Sequence, residues 1–219
     1  MMEHGIGLAE LREGLIYYIL LVASLCIHEW AHAFSADKLG DPTPVSQGRV
    51  TLNPLAHMDL VGTVIFPLMS IFVLPGGFFF GWGKPVMVNT SYFRHRVRDD
   101  IINTLAGPGA NLGLALLAAV VGGLICRFVD QSLGELVITF IGINVVLAVF
   151  NLIPLPPLDG SHVLRHAIGM SEETFYGIAR WSFLILIVAI NLPPVRAVLG
   201  FVIGVVGAPF LLLFNRLAG

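Results

Sequence analysis

The stretch LIYYILLVASLCIHEWAHAFSA, residues 15–36, decides how the rest of the chain is read. Its length suits a membrane span, which takes about 20 mainly apolar residues. Inside it sit His28-Glu29-Trp30-Ala31-His32, which do not belong in lipid. On a helix, residues i and i+4 share a face, so His28 and His32 point the same way and can offer ring nitrogens to one metal ion. Glu29 lies about 100° further round the helix, within reach of water at such a metal. This is the H-E-x-x-H pattern, in which two His hold zinc and the Glu serves as general base. The alternative is a buried His pair bonded to its neighbours, with Glu29 as counter-ion. In an apolar helix these groups are costly unless they are paired or ligate something.

Composition agrees with a membrane setting. The chain of 219 residues is 56% apolar and 12% charged, against about 25% charged in a soluble domain. The net charge of −2 is uninformative, and no basic surface suggests nucleic acid. Residues before 15 lack the basic and cleavable features of a signal peptide, and the expectation is a retained segment that forms a short amphipathic helix. Cys26 and Cys126 fall in apolar segments and read as buried thiols.

Further apolar segments follow at 60–80, 101–126, 133–153, 175–192 and 195–217, with no repeat and no soluble domain. The chain is therefore expected to form one membrane-embedded domain over 1–219. Residues 60–80 suit a straight span badly, because Pro67 interrupts them and Pro75-Gly76-Gly77 breaks them. Val86-Met87-Val88-Asn89 could pair as a short strand.

A catalytic zinc usually has three protein ligands and an open position. The candidates to join the two His are Asp159, His57, Asp59, His162, Asp37 and Asp41. Asp159 stands first, because three prolines unwind the chain before it and Gly160 behind it permits close backbone approach. His57 stands second. Parity adds a constraint. If 60–80 crossed the bilayer, Asp159 would emerge on the face opposite the His pair. If 60–80 dips in and returns, both meet on one side. Lys38, Arg49, Lys84, Arg94, Arg96, Arg98, Arg165 and Arg216 then share that side, and only Arg12, Arg127 and Arg196 lie on the other. The positive-inside tendency makes the crowded side cytoplasmic, with the N-terminus outside and the C-terminus inside.

Three motifs in order, His28-Glu29-Trp30-Ala31-His32, Ala106-Gly107-Pro108-x-x-Asn111 and Asn151-x-x-Pro154-x-Pro156-x-Leu158-Asp159-Gly160, resemble the site-2 protease family of intramembrane zinc metalloproteases. The Gly81-to-Val86 run resembles its small prokaryotic branch, which lacks PDZ-like and nucleotide-binding domains. The resemblance covers about residues 15–160, the expected catalytic core. It implies an all-α polytopic membrane protein of about five transmembrane helices, with a re-entrant segment and a short membrane-associated β-hairpin. Residues 78–90 would supply the hairpin's edge strand. It further implies Zn2+ on His28, His32 and Asp159, Glu29 as general base, and substrate-side roles for Asn151 and Asn111. The partners implied are transmembrane protein or peptide substrates and the lipid bilayer, in a prokaryotic cell membrane. Two other readings are a zinc-binding membrane transporter and a non-catalytic pseudoprotease that binds transmembrane helices. A transporter would string polar ligands along several helices, whereas the remaining ionisable residues here cluster at segment ends. The 175–217 hairpin carries no family motif and is read as shaping access or as purely structural.

Overall fold

The computed structural model describes residues 7–73 and 81–219. In chain order the helices are α1 (Leu8–Leu39), α2 (Thr43–Ser46), α3 (Phe66–Val73), α4 (Arg96–Leu117), α5 (Gly123–Phe128), α6 (Gly134–Asn151), α7 (Gly160–Ala167), α8 (Glu172–Asn191) and α9 (Pro193–Ala218). A π-helical turn at Leu60–Ile65 leads into α3, and another at Ala118–Gly122 joins α4 to α5.

Four continuous helical segments are long and apolar enough to cross a bilayer: Leu8–Leu39, Arg96–Phe128, Gln131–Asn151 and Pro193–Ala218. A fifth candidate is α8, which bends by 59° between Ser182 and Leu184. Their outward faces carry exposed Leu116, Leu117, Val121, Phe201 and Leu212. Such belts are compatible with lipid tails as solvent and not with water. Residues 8–14 do not form a separate amphipathic helix, since α1 runs unbroken from Leu8, and the first six residues of that expectation lie outside the described residues. Its far end is closed by Gly40, whose φ of 108° lets its N–H reach the carbonyls of Ala36 and Asp37.

Inside the bundle, α1 packs along α4, α4 along α6, and α6 along α9. Ala115, Ala119, Ile141, Val145, Val149 and Phe214 form one core, and Leu21, Leu25, Ile143 and Leu147 a second. The second core binds α1 to α6 at the level just before the His pair.

The segment after residue 57 turns back on itself. Its apolar helix, Leu60–Ile71, is too short to span. It reaches the start of α1, where a Cβ on Gly14 would lie 2.9 Å from Ile71 Cγ2. When the description resumes at Gly81, the chain is again beside residues 57–63. Trp82 N–H donates to Gly62 O (3.2 Å), Thr63 Oγ1 to Trp82 O (2.7 Å), and Lys84 N–H to His57 O (2.8 Å). Residues 57–63 and 81–84, on either side of the segment, thus lie side by side.

The expected β-hairpin is not formed. Among the described residues there is no strand, only an isolated antiparallel bridge between Met58 and Gly83. Residues 78–80 of the expected edge strand lie outside the described residues. The reason lies in the hydrogen bonds of 81–90. Its N–H groups are spent on other partners: Trp82 on Gly62 O, Lys84 on His57 O, Val86 on Glu29 Oε2 (3.1 Å) and Asn89 on Asp41 Oδ2 (2.7 Å). Pro85 has none to give. What remains is an extended strap tied down by side chains and by the 57–62 loop.

The folding-back makes a topological prediction. Leu55 (77% exposed) and Met87 (64% exposed) flank the returning segment. Leu55→Cys and Met87→Cys variants should both be labelled by a membrane-impermeant thiol reagent from the same face of oriented vesicles. Labelling from opposite faces would mean that the segment crosses.

Candidate metal centre

His28 and His32 lie one turn apart on α1, both buried, and face α4. Asp159 comes to them from the other end of the sequence. After α6 the chain loses its helix through Leu152–Leu158, and Gly160 starts α7 hard against that unwound backbone. A Cβ at 160 would overlap the Leu152 carbonyl. Only glycine allows this approach, and the approach turns Asp159 back toward α1.

The three side chains form a tight triangle. His28 Nε2 lies 3.1 Å from His32 Nε2, and Asp159 Oδ2 lies 3.2 Å from the first and 3.4 Å from the second. A tetrahedral zinc with ligands at about 2.0–2.1 Å requires ligand-to-ligand edges of about 3.4 Å. The donor set fits as well. His28 Nδ1 is 2.6 Å from Asn111 Oδ1, and His32 Nδ1 is 2.8 Å from Asn103 O. Both partners are acceptors, so both Nδ1 atoms carry the proton and both Nε2 atoms turn lone pairs inward. Asp159 Oδ2 is buried and makes no hydrogen bond. Three acceptor atoms converging in an apolar interior repel one another unless a cation sits among them. The site is built for a metal, and its chemistry suits zinc.

α4 makes room for it through a single glycine. A Cβ on Gly107 would lie 2.6 Å from His28 Nε2 and closer still to His32 Nε2. Gly107 therefore serves close packing of α4 against the two rings, whereas a Cβ on Gly109 would meet nothing.

The triangle faces a cavity of about 630 Å³, on whose wall Glu29, Val86, Asn151 and His162 also lie. Glu29 is half-buried, and its Oε2 accepts the Val86 N–H. The strap that carries Val86 is held by buried groups. The Arg49 guanidinium donates to Lys84 O, and Asp41 accepts from Asn89 N–H and Thr43 N–H. Burial pushes the Arg49 guanidinium below its ordinary range, while the Glu29 carboxylate acts in the other direction.

The other candidate ligands have other duties. His57 is buried with Nε2 2.7 Å from Thr51 O. Asp59 caps the turn at Leu60 by accepting from Val61 and Gly62 N–H. Asp37 pairs with Lys38 at the surface. His162 stands 3.6 Å from Asp100, which His166 approaches at 2.6 Å, tying α7 to α4. Asn151 lies at the cavity and donates to Leu147 O (2.9 Å). Asn111 is fully buried behind His28 and does not line the cavity. Sequence reasoning missed three contributors. The Asn103 carbonyl and the Val86 N–H are backbone atoms with no signature. Asn144, which leads to His28 through Asn111, was visible only as an amide in an apolar helix.

The profile of Peptidase family M50 matches residues 126–189, which include Asn151 and Asp159 but not the His pair. YwhC of Bacillus subtilis strain 168, assigned as a zinc metalloprotease, is 35% identical over 183 residues, covering 78% of each chain. Rip2 of Mycolicibacterium smegmatis, assigned likewise, is 35% identical over 184 residues, covering 80% of this chain and 68% of its own. Rip2 of Mycobacterium tuberculosis strain H37Rv is 28% identical over 181 residues, covering 81% and 68%. No solved structure matches the chain.

Metal analysis of purified protein tests the triangle. Wild type and His57→Ala are expected to hold about one zinc per chain, and His28→Ala and Asp159→Ala almost none. Gly107→Ala should weaken zinc binding by about tenfold or more, because the added methyl displaces both rings. Full zinc in Asp159→Ala would remove Asp159 from the ligand set.

Proposed function

This chain belongs to peptidase family M50, the site-2 proteases, and from that premise we propose how its own residues divide the work of an intramembrane zinc metalloprotease. The observation that carries the reading is the His28–His32–Asp159 triangle opening on the cavity that Glu29 lines. His28, His32 and Asp159 hold the metal. When bound, zinc supplies Lewis acidity that activates water and polarises a carbonyl. Glu29 is the general base: it takes a proton from the attacking water and passes it to the departing amine. The Val86 N–H engages Oε2 and leaves Oε1 for that exchange.

A substrate helix satisfies its own amides, so it must open before cleavage. Asn151 holds the opened backbone. Its Nδ2 is committed to Leu147 O, which leaves its carbonyl oxygen to accept a substrate N–H. Substrates are membrane-embedded proteins, in keeping with the family. The catalytic centre faces the cytoplasm, with the N-terminus outside and the C-terminus inside. Residues 15–160 form the catalytic core of a single membrane domain, and the 175–217 hairpin flanks it. The distribution of Lys and Arg supports this orientation.

The roles separate in kinetics. Glu29→Gln should keep zinc and lose cleavage of a single-span substrate by about 10²–10⁴-fold. Asn151→Ala should raise KM more than it lowers kcat. Undiminished turnover by the Glu29 variant, with zinc in place, would remove Glu29 from its role.

A further inference from the structure

We propose that Asn144, anchored by Ser24 and by the Phe140 carbonyl, is a positioning residue that holds His28 in its metal-binding tautomer, acting through Asn111. The inference rests on the zinc reading of the triangle. None of Ser24, Asn111 and Asn144 lines the cavity, and all three are fully buried.

The bonds run in one direction. Ser24 Oγ donates its one proton to Leu20 O (2.8 Å), so it must accept from Asn144 Nδ2 (3.0 Å). Asn144 Nδ2 gives its second proton to Phe140 O (2.9 Å). A backbone carbonyl cannot donate, so the Asn144 amide cannot be flipped, and Oδ1 is the end that faces Asn111 Nδ2 (2.9 Å). Asn111 Nδ2 also points at Ser24 O (3.4 Å), a second group that can only accept. Asn111 therefore turns Oδ1 toward His28 Nδ1, and His28 must donate there. Its Nε2 is left with a lone pair aimed at the triangle. Backbone carbonyls on α1 and α6 thus dictate, two side chains away, which nitrogen of His28 is free to ligate.

Removing Asn144 takes away the shorter of the two bonds that orient Asn111 and leaves only the 3.4 Å contact to Ser24 O. Asn111 can then rotate, present its NH2 to His28 Nδ1 and move the ring proton to Nε2, the atom the metal needs. His32 is immune, because its Nδ1 faces the backbone carbonyl of Asn103.

The rival explanation is that Asn144 merely packs α1, α4 and α6 together. The histidine tautomer separates the two. Full-length chain labelled with 15N-histidine, stripped of metal in detergent, is compared as wild type and Asn144→Leu, with His28 assigned by the signal lost in His28→Gln. Wild type is expected to show His28 in the Nδ1–H form alone. Asn144→Leu is expected to show both tautomers, with the zinc Kd from chelator competition raised about 10–100-fold. A wild-type tautomer in Asn144→Leu overturns the proposal, whatever happens to zinc affinity, and so does a mixed tautomer in wild type. If Asn144→Leu does not fold, the smaller Asn144→Ala is read by the same criterion. The tautomer is read without metal, so a wild type that binds no zinc would refute the metal reading separately.

Discussion

Three electron-rich atoms, two imidazole nitrogens and a carboxylate oxygen, meet within 3.4 Å of one another inside an apolar bundle. In a low-dielectric interior that convergence is unstable by itself. Much of the surrounding structure serves to enforce it. Asn111 and the Asn103 carbonyl fix the rings from behind, Gly107 clears the space in front of α4, and the unwound, proline-rich end of α6 delivers the carboxylate. Each device acts by a different physical means: hydrogen-bond polarity, the absence of a side chain, and the loss of helical continuity. Together they hold the arrangement open for a cation.

The same constraint explains the path of the chain between α1 and α4. His32 and Asp159 can meet only if the intervening apolar segments return the chain to the same face. The short helix Leu60–Ile71 runs beside α1 to the level of Gly14, and the chain from Gly81 is again bonded to residues 57–63, through His57, Gly62, Thr63, Trp82 and Lys84. The strap that follows then reaches the cavity beside the triangle and places a backbone N–H on Glu29. The chain just after the segment that sequence marks as a poor span thereby becomes a support for the Glu29 carboxylate. Its extended backbone is held by Arg49, Asp41 and Glu29 instead of by a partner strand, which is why it is not a hairpin.

Two sets of polar side chains tie helices of the bundle together. Ser24, Asn111 and Asn144 form one buried chain across three helices, and Asp100 with the half-buried His162 and His166 joins α4 to α7. In lipid, where water cannot compensate a missing bond, such sets specify helix pairing and rotation more sharply than apolar contacts do. The first set backs His28 through Asn111, and the second fixes α7, which begins directly after Asp159, against α4.

The sequence alone determined the membrane setting, the two His one turn apart, the carboxylate of Glu29 beside them and the choice of Asp159 to join the pair. Those readings rest on local rules: apolar length, the 3.6-residue helical period, and the helix-breaking action of proline and glycine. Membership of the M50 family followed from comparison with whole relatives. The tertiary structure decided what no local rule reaches. The Asn103 carbonyl and Val86 N–H are present at every position of every chain, so no residue type announces them. Gly107 reads as a motif glycine, but its reason is the two rings that press against its α-carbon. Asn144 and Ser24 lie 120 residues apart, and their bond exists only because α1 and α6 pack side by side. The missing hairpin has the same cause: Val86 to Asn89 have strand-like sequence, and whether their N–H groups meet a strand or a carboxylate depends on what the fold sets beside them.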